Sequence, residues 1–356
     1  MPELNGIGAA ASSYHLRRHR LAGVTAVTAV YNHRLPTRTD HTHTDVDVHI
    51  AAVEYALPEH SLTLDELARD GRLSSRPEAL RGFGFDRAWI AGAERDGLAA
   101  RAVTALLERN NVDPSSIDLL LYAGATSASH ALGEGLLGDF SYPVARLQYD
   151  AGLSGARTIG VSQVGCLGLM TAVSIARAML LAHPSSIGRV LCVGVDLLPA
   201  GSSREILYNL ISDGACAVLV QSGAGPNRII SERQVTKGYY WDCEARKNEI
   251  VAAYFPTARH IIKEALADAI LAPDDVALII PHNVSLRSWE ILLRLTNLPA
   301  DRLYADNIAT KGHVISGDNF INLKDAAAEG RLRAGDRLLL FNFGFGASWS
   351  CMLVEH

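Results

Sequence analysis

The 356-residue sequence predicts an α/β protein made of two similar halves. Three observations carry that reading. Apolar runs of strand length alternate with longer stretches patterned as helices. The strand runs are apolar at successive positions, as strands buried on both faces are. The order also repeats: residues 117–126 of the first half are echoed by 276–282 of the second, and 215–220 by 349–354. A duplicated protein of this kind is expected to carry its site where the halves meet.

Length and composition bound the possibilities. A chain of 356 residues has room for two core-forming units or one duplicated domain. With 48% hydrophobic residues, 20% charged residues and a net charge of −5, it reads as an ordinary globular protein with no basic face for nucleic acid. The cysteines (Cys166, Cys192, Cys216, Cys243, Cys351) are odd in number and include no C-x-x-C pair. A reducing cytoplasm is therefore expected, with neither a disulfide framework nor a zinc site. No apolar run stands out as a membrane span, and Arg17, Arg18, His19 and Arg20 interrupt the N-terminus before a signal-peptide core.

Residues 1–46 read as a flexible N-terminal extension. Its histidines lack a cysteine or carboxylate pattern that would fix a metal geometry, so it is left unassigned. The N-terminal half is placed at 47–223 and the C-terminal half at 224–356. A strand is expected at 48–53, then a helix at 63–67 opened by a Thr63 cap. A helix at 95–110 shows Leu98, Ala99, Ala102, Val103, Leu106 and Leu107 on one face. Strands follow at 117–126, 189–196 and 214–220. In the second half a helix spans 253–271, a strand 276–282, a helix 285–295 and strands 337–343 and 349–354.

Between these elements a β-branched run ends at Gly165-Cys166-Leu167-Gly168, and Leu169, Ala172, Val173, Ala176, Ala178 and Met179 continue as a helix. Cys166 thus falls at a strand-to-helix turn. Unpaired N–H groups and the helix dipole there favour a thiolate and offer donors to an oxyanion. A nucleophilic thiol is the functional reading, and a buried inert cysteine is the other.

Four segments now carry a family resemblance. They are Val164-Gly165-Cys166-Leu167-Gly168, Ser212-Asp213-Gly214-Ala215, Pro281-His282-Asn283 and Gly344-Phe345-Gly346-Ala347-Ser348-Trp349. In that order, over residues 46–355, the chain resembles the thiolase-like condensing enzymes of the ketoacyl-acyl-carrier-protein synthase III group. The resemblance implies a thiolase-like fold of five layers, αβαβα, in a homodimer. It also implies an acyl thioester of coenzyme A or an acyl carrier protein as substrate, with no further cofactor and no metal. It places the oxyanion donors at the N–H groups of Cys166 and Phe345, and substrate contacts at Ser285, Gly344 and Gly346.

The departures from that family are informative. Where condensing members read His-Gln-Ala-Asn, this chain has His282-Asn283-Val284-Ser285. Where they carry Gly-Asn-Thr-Ser, it has the stretch 311–320, with His313 at the Asn position and Asp318 following. This pattern is similar to the acyl-transferring branch of the group found in antibiotic pathways, such as the malonyl transferase of cervimycin assembly, in which Cys-His-Asp replaces Cys-His-Asn. Condensation needs two donors aimed at an enolate, whereas ester or amide formation needs a base held by a carboxylate. The expectation is that Cys166 takes an acyl group and that His282, oriented by Asp318, deprotonates a hydroxyl or amine acceptor without decarboxylation.

Other readings stay open. Cys166, His282 and His313 would equally make a condensing set, with Asp318 merely capping a helix at 319–329. His313 also reads as a structural histidine, and the chain as a non-catalytic partner subunit. Ser162, Gln163, Trp241, Trp289 and Trp349 are read as tunnel lining or as core. Asp213 is expected to tie down its turn. Arg287 and Arg294 suit a carrier protein or a solvated face, and Cys192 and Cys351 should be inert.

Overall fold

In the computed structural model, which describes residues 46–125 and 142–356, the first half contributes β1 (Val48–Ala56), β4 (Leu119–Ala123), β5 (Arg157–Val161), β6 (Arg189–Asp196) and β9 (Gly214–Ser222). The second half contributes β10 (Arg228–Thr236), β11 (Val276–Ile280), β12 (Arg337–Gly344) and β13 (Ser348–Glu355). Two small two-stranded sheets stand apart: β2 (Ser61–Thr63) with β3 (Arg87–Trp89), and β7 (Glu205–Ile206) with β8 (Asn209–Leu210). The main sheet runs β11-β12-β13-β10-β1-β9-β6-β4-β5.

The duplication is visible in the pairing. In the first half β4 lies parallel to β5 and β6, and β6 antiparallel to β9. In the second, β11 lies parallel to β12, and β12 antiparallel to β13. The halves join at β1 and β10 through the pair His49↔Arg228.

Successive residues of one strand face different cores, which is why the strand runs are apolar throughout. Leu119 and Leu121 of β4 face a central core with Met170 and Val173 of the helix Gly168–Ala182 and Phe320 and Leu323 of the helix Asp318–Ala328. Leu120 and Tyr122 face an outer core with Ala102 and Leu106 of the helix Leu98–Arg109. On β12, Leu338 and Leu340 face the central core. Leu339 and Phe341 face outward onto Ile262 of the helix Lys247–Asp268 and Trp289 of the helix Leu286–Thr296. Outer helices, half-sheet, paired central helices, half-sheet and outer helices give the five layers αβαβα.

Local signals hold at several places. Thr63 opens the helix Leu64–Arg69 with a capping box, its hydroxyl accepting from Glu66 N–H and its own N–H donating to Glu66 Oε2 at 2.8 Å. The strand expected at 189–196 is β6 itself. The helix expected from residue 253 begins earlier, at Lys247, and carries Pro256 inside it. The extension up to residue 45 and the end of the strand expected at 126 lie outside the described residues.

One expectation is corrected by the helix that follows Cys166. Residues Gly165–Ala182 have a mean hydropathy of 1.7 over 18 residues, enough by length and composition for a membrane span. Its apolarity is that of a helix in the central layer: Leu169, Met170, Ala172, Val173, Ala176 and Leu180 are all buried there.

Candidate active site

The four segments singled out in the sequence meet at the carboxyl ends of parallel strands, where open α/β sheets place their clefts. Cys166 sits in a 3-10 turn, Gly165–Leu167, that follows β5 and feeds the helix Gly168–Ala182. Against it lies the turn between β12 and β13. A Cβ on Gly344 would stand 2.7 Å from Val164 O and 2.9 Å from Cys166 N, and one on Gly165 would stand 2.8 Å from Phe345 O. The two turns pack backbone to backbone, with the nitrogens of Cys166 and Phe345 on the same seam. Asn342 Nδ2 donates to Cys166 O at 3.1 Å and fixes the turn from below.

His313 Nε2 lies 3.8 Å from Cys166 Sγ and 3.2 Å from His282 Nε2. The acid takes a different partner from the one expected. Asp318 Oδ2 is 2.6 Å from His313 Nδ1 but 3.7 Å from His282 Nε2, beyond hydrogen-bond reach. It also accepts from Asn283 N–H at 2.7 Å, and Oδ1 accepts from Val314 N–H at 2.6 Å. The capping reading of Asp318 is corrected as well. Asp318 is the first residue of its helix, Gly317 occupies the cap, and no side chain caps it.

These contacts assign the protons. The Phe343 N–H points at His282 Nδ1 at 3.3 Å, so that nitrogen is an acceptor and the ring proton sits on Nε2. On His313 the Asp318 carboxylate accepts the Nδ1–H, so Nε2, facing Cys166 and His282, is the nitrogen that gains and loses a proton. That nitrogen is strongly basic. Burial pushes the His313 pKa down, but the Asp318 charge, its hydrogen bond and the Cys166 sulfur outweigh it and raise the ring from 6.5 to about 10. For His282, burial and then the neighbouring His313 push the pKa well below its ordinary value, and the ring stays neutral.

The donor atoms of Cys166, His282 and His313 lie within 4.8 Å of one another, a spacing open to a metal ion. The proton on His282 Nε2 removes one of the three lone pairs, and the set suits proton transfer better than metal binding.

The turn from Gly312 to Asp318 is wound unusually. Ile315 has φ +41°, a left-handed conformation that costs a β-branched residue about 1–3 kcal/mol. Its side chain packs on Leu198 and Ile211 beside Cys166. Asp196 holds the next residue, accepting from Ser316 N–H at 2.7 Å.

Sequence reasoning missed a buried row of amides. Asn283 Nδ2 donates to Gly312 O at 2.9 Å, bridging the two histidine loops, and Asn322 Nδ2 donates to Asn283 Oδ1 at 2.7 Å. Asn319 Nδ2 donates to Ile280 O and Phe341 O. The signal was available: Asp318, Asn319, Asn322 and Asp325 recur at helical spacing among buried apolar neighbours.

The remaining candidates separate. The Ser285 hydroxyl caps the helix Leu286–Thr296. Asp213 ties down its turn, as expected, through a fully buried bidentate pair with Arg204 at 2.7 and 2.8 Å. Trp289 and Trp349 are core, with Trp289 Nε1 donating to His282 O at 2.8 Å, whereas Trp241 is exposed. Ser162 and Gln163 are exposed. Arg287 pairs with Glu290 on the surface, and Arg294 lines a surface cavity that none of the residues around Cys166 shares. Cys192 and Cys351 are buried, their pKa values pushed up by burial.

Residues 266–356 match the family described as 3-Oxoacyl-[acyl-carrier-protein (ACP)] synthase III C terminal. The chain is 27% identical over 332 residues to the beta-ketoacyl-[acyl-carrier-protein] synthase III of Roseiflexus sp. (strain RS-1), covering 84% of this chain and 95% of the relative. Among solved structures it is similar to the 3-oxoacyl-[acyl-carrier-protein] synthase III of Aquifex aeolicus VF5, with TM-score 0.75 and 22% identity over 87% of this chain and 100% of that one. It is equally similar to ChlB3, described as an acyltransferase, with TM-score 0.75 and 22% identity over 87% of this chain and 97% of that one.

Proposed function

From its membership of the ketoacyl-acyl-carrier-protein synthase III family, with its thiolase-like fold, we propose that this chain is an acyltransferase. It takes an acyl group from a carrier-protein or coenzyme A thioester onto Cys166 and passes it to a hydroxyl or amine without decarboxylation. The observation that carries the reading is the 2.6 Å contact between Asp318 Oδ2 and His313 Nδ1, which makes His313 Nε2 a base. The sequence reading gave that role to His282; the 2.6 Å contact supports giving it to His313 instead.

In the first step the Cys166 proton passes to His313 Nε2, 3.8 Å away. Sulfur attacks the thioester carbon, and the N–H groups of Cys166 and Phe345 receive the oxyanion. The tetrahedral species expels the carrier thiolate, which takes the proton from His313. His313 Nε2 is then free to accept the proton of an incoming hydroxyl or amine as it attacks the acyl-Cys166. Collapse releases the ester or amide, and the departing sulfur takes the proton back from His313, while His282 stays neutral and offers Nε2–H to the same space.

Decarboxylative condensation by Cys166, His282 and His313 is the alternative, and the names of the similar synthases favour it. It requires both rings to donate to an enolate. In the acyl-enzyme, once the carrier thiol has left with the proton, His313 bound to Asp318 through Nδ1–H has no second proton to give. The description of ChlB3 as an acyltransferase supports the transfer reading, as does the match to the antibiotic-pathway pattern; a role in secondary metabolism, as a cytoplasmic homodimer, belongs to the same proposal. The test is incubation with carboxyl-labelled malonyl thioester and a panel of other acyl thioesters. Acyl-Cys166 and acceptor ester should form, no labelled carbon dioxide should be released, and Cys166→Ala should abolish both products. Release of labelled carbon dioxide would favour condensation.

A further inference from the structure

The buried carboxylate of Asp196 takes no part in the scheme above. It ends β6 in the first half, is 1% exposed, and has no lysine or arginine partner among the described residues. Its oxygens accept from Ser316 N–H at 2.7 Å, Ser316 Oγ at 2.5 Å and Ala125 N–H at 3.1 Å. A buried charge without a cation is costly, and a neutral side chain would serve packing better.

We propose that Asp196 is a positioning residue: by holding Ser316 it keeps the 312–318 turn wound so that His313 stays on Asp318 and in front of Cys166. Ser316 is wedged between the halves. A Cβ on Gly194 would stand 2.8 Å from its hydroxyl, and one on Gly168, at the start of the Cys166 helix, 3.7 Å from its Cβ. Both neighbours are glycines, so the serine reaches the acid. The residue before it, Ile315, is the one forced to φ +41°. Val314 on the far side of that residue is held by Asp318 Oδ1. The left-handed step is therefore pinned at both ends by a carboxylate, one from each half of the molecule.

The titratable groups facing Asp196 are Tyr122 from β4, Cys216 from β9 and His313 from the turn. Tyr122 and Cys216 are kept neutral by burial, so among the described residues His313 is the charge that Asp196 meets. Burial raises Asp196 itself from 3.8 to about 6, against the pull of Ser316, Ala125 and His313. The clamp is charged in neutral solution and loses its charge on mild acidification.

The inference rests on Cys166 and His313 working as a pair, as the transfer reading has it, but not on the acyl group or acceptor. It is tested by alkylation of Cys166 with iodoacetamide, followed by mass across neutral and mildly acidic pH. The wild-type rate should step down as pH falls through about 6. Asp196→Asn should alkylate roughly tenfold or more slowly at neutral pH, as a displaced ring would cause, and should lack the step. Ser316→Ala, which keeps the carboxylate, should be slowed but retain the step, and it carries the test should Asp196→Asn not fold. Wild-type rates in either variant, or an unmoved step in Asp196→Asn, would overturn the proposal while leaving acyl transfer untouched. A failure of acyl transfer with these alkylation results intact would sink the other reading alone.

Discussion

The Asp318 carboxylate lies 2.6 Å from His313 Nδ1 and 3.7 Å from His282 Nε2, so one acid distinguishes two rings that stand 3.2 Å apart. The ring it holds is made strongly basic and turns Nε2 toward Cys166. The ring it does not hold is oriented by the Phe343 N–H and left with a proton. Two imidazoles in one cleft thereby acquire opposite hydrogen-bonding characters.

That division predicts an order of damage. His313→Ala should reduce acyl transfer by about 10²–10⁴-fold, the usual range for loss of a general base, and His282→Ala by clearly less. Steady-state rates with a saturating thioester decide it, and the reverse order would return the base to His282.

Asp318→Asn keeps the shape of the side chain but puts an N–H₂ or a neutral oxygen against His313 Nδ1. Transfer should fall by as much as about 10⁴-fold, with the Michaelis constant for the thioester little changed. A variant within threefold of wild type would show that the carboxylate only holds the backbone of Asn283 and Val314.

The two histidines should also bound stability from opposite sides. His313 is raised to about 10 in the folded chain, so its contribution is full below 6.5 and is lost as pH rises through about 10. His282 is lowered, so stability falls as pH drops below 6.5 and the unfolded ring alone takes up a proton. Thermal midpoints of wild type and His313→Gln should converge in strong alkali and diverge toward neutrality. Parallel curves would remove His313 as the source.

Gly344→Ala places a methyl against Val164 O and Cys166 N, neither of which is a flexible side-chain end. Overpacking of this kind costs about 1–3 kcal/mol. Alkylation of Cys166 should slow together with a fall in the unfolding midpoint. A stable variant with unaltered alkylation would mean that the seam yields without cost.

Much of the framework was legible because strand burial on two faces leaves a continuous apolar signature, as at β6. The Cys166 turn was legible because a β-branched run meets a small-residue helix there. The partner of Asp318 was not. Which ring it takes depends on the left-handed step at Ile315, and a β-branched residue gives no hint of that conformation in the sequence. The helix after Cys166 looked like any apolar run because what makes it central, sheets on both of its sides, lies far away in the chain.

The seam where Gly165 and Gly344 touch has a wider consequence. The first copy of the repeat owns the sulfur and the second owns both imidazoles and the acid that commands one of them. Each copy has become unusable alone, so two like halves now behave as lock and bolt, and neither is free to drift in shape without the other.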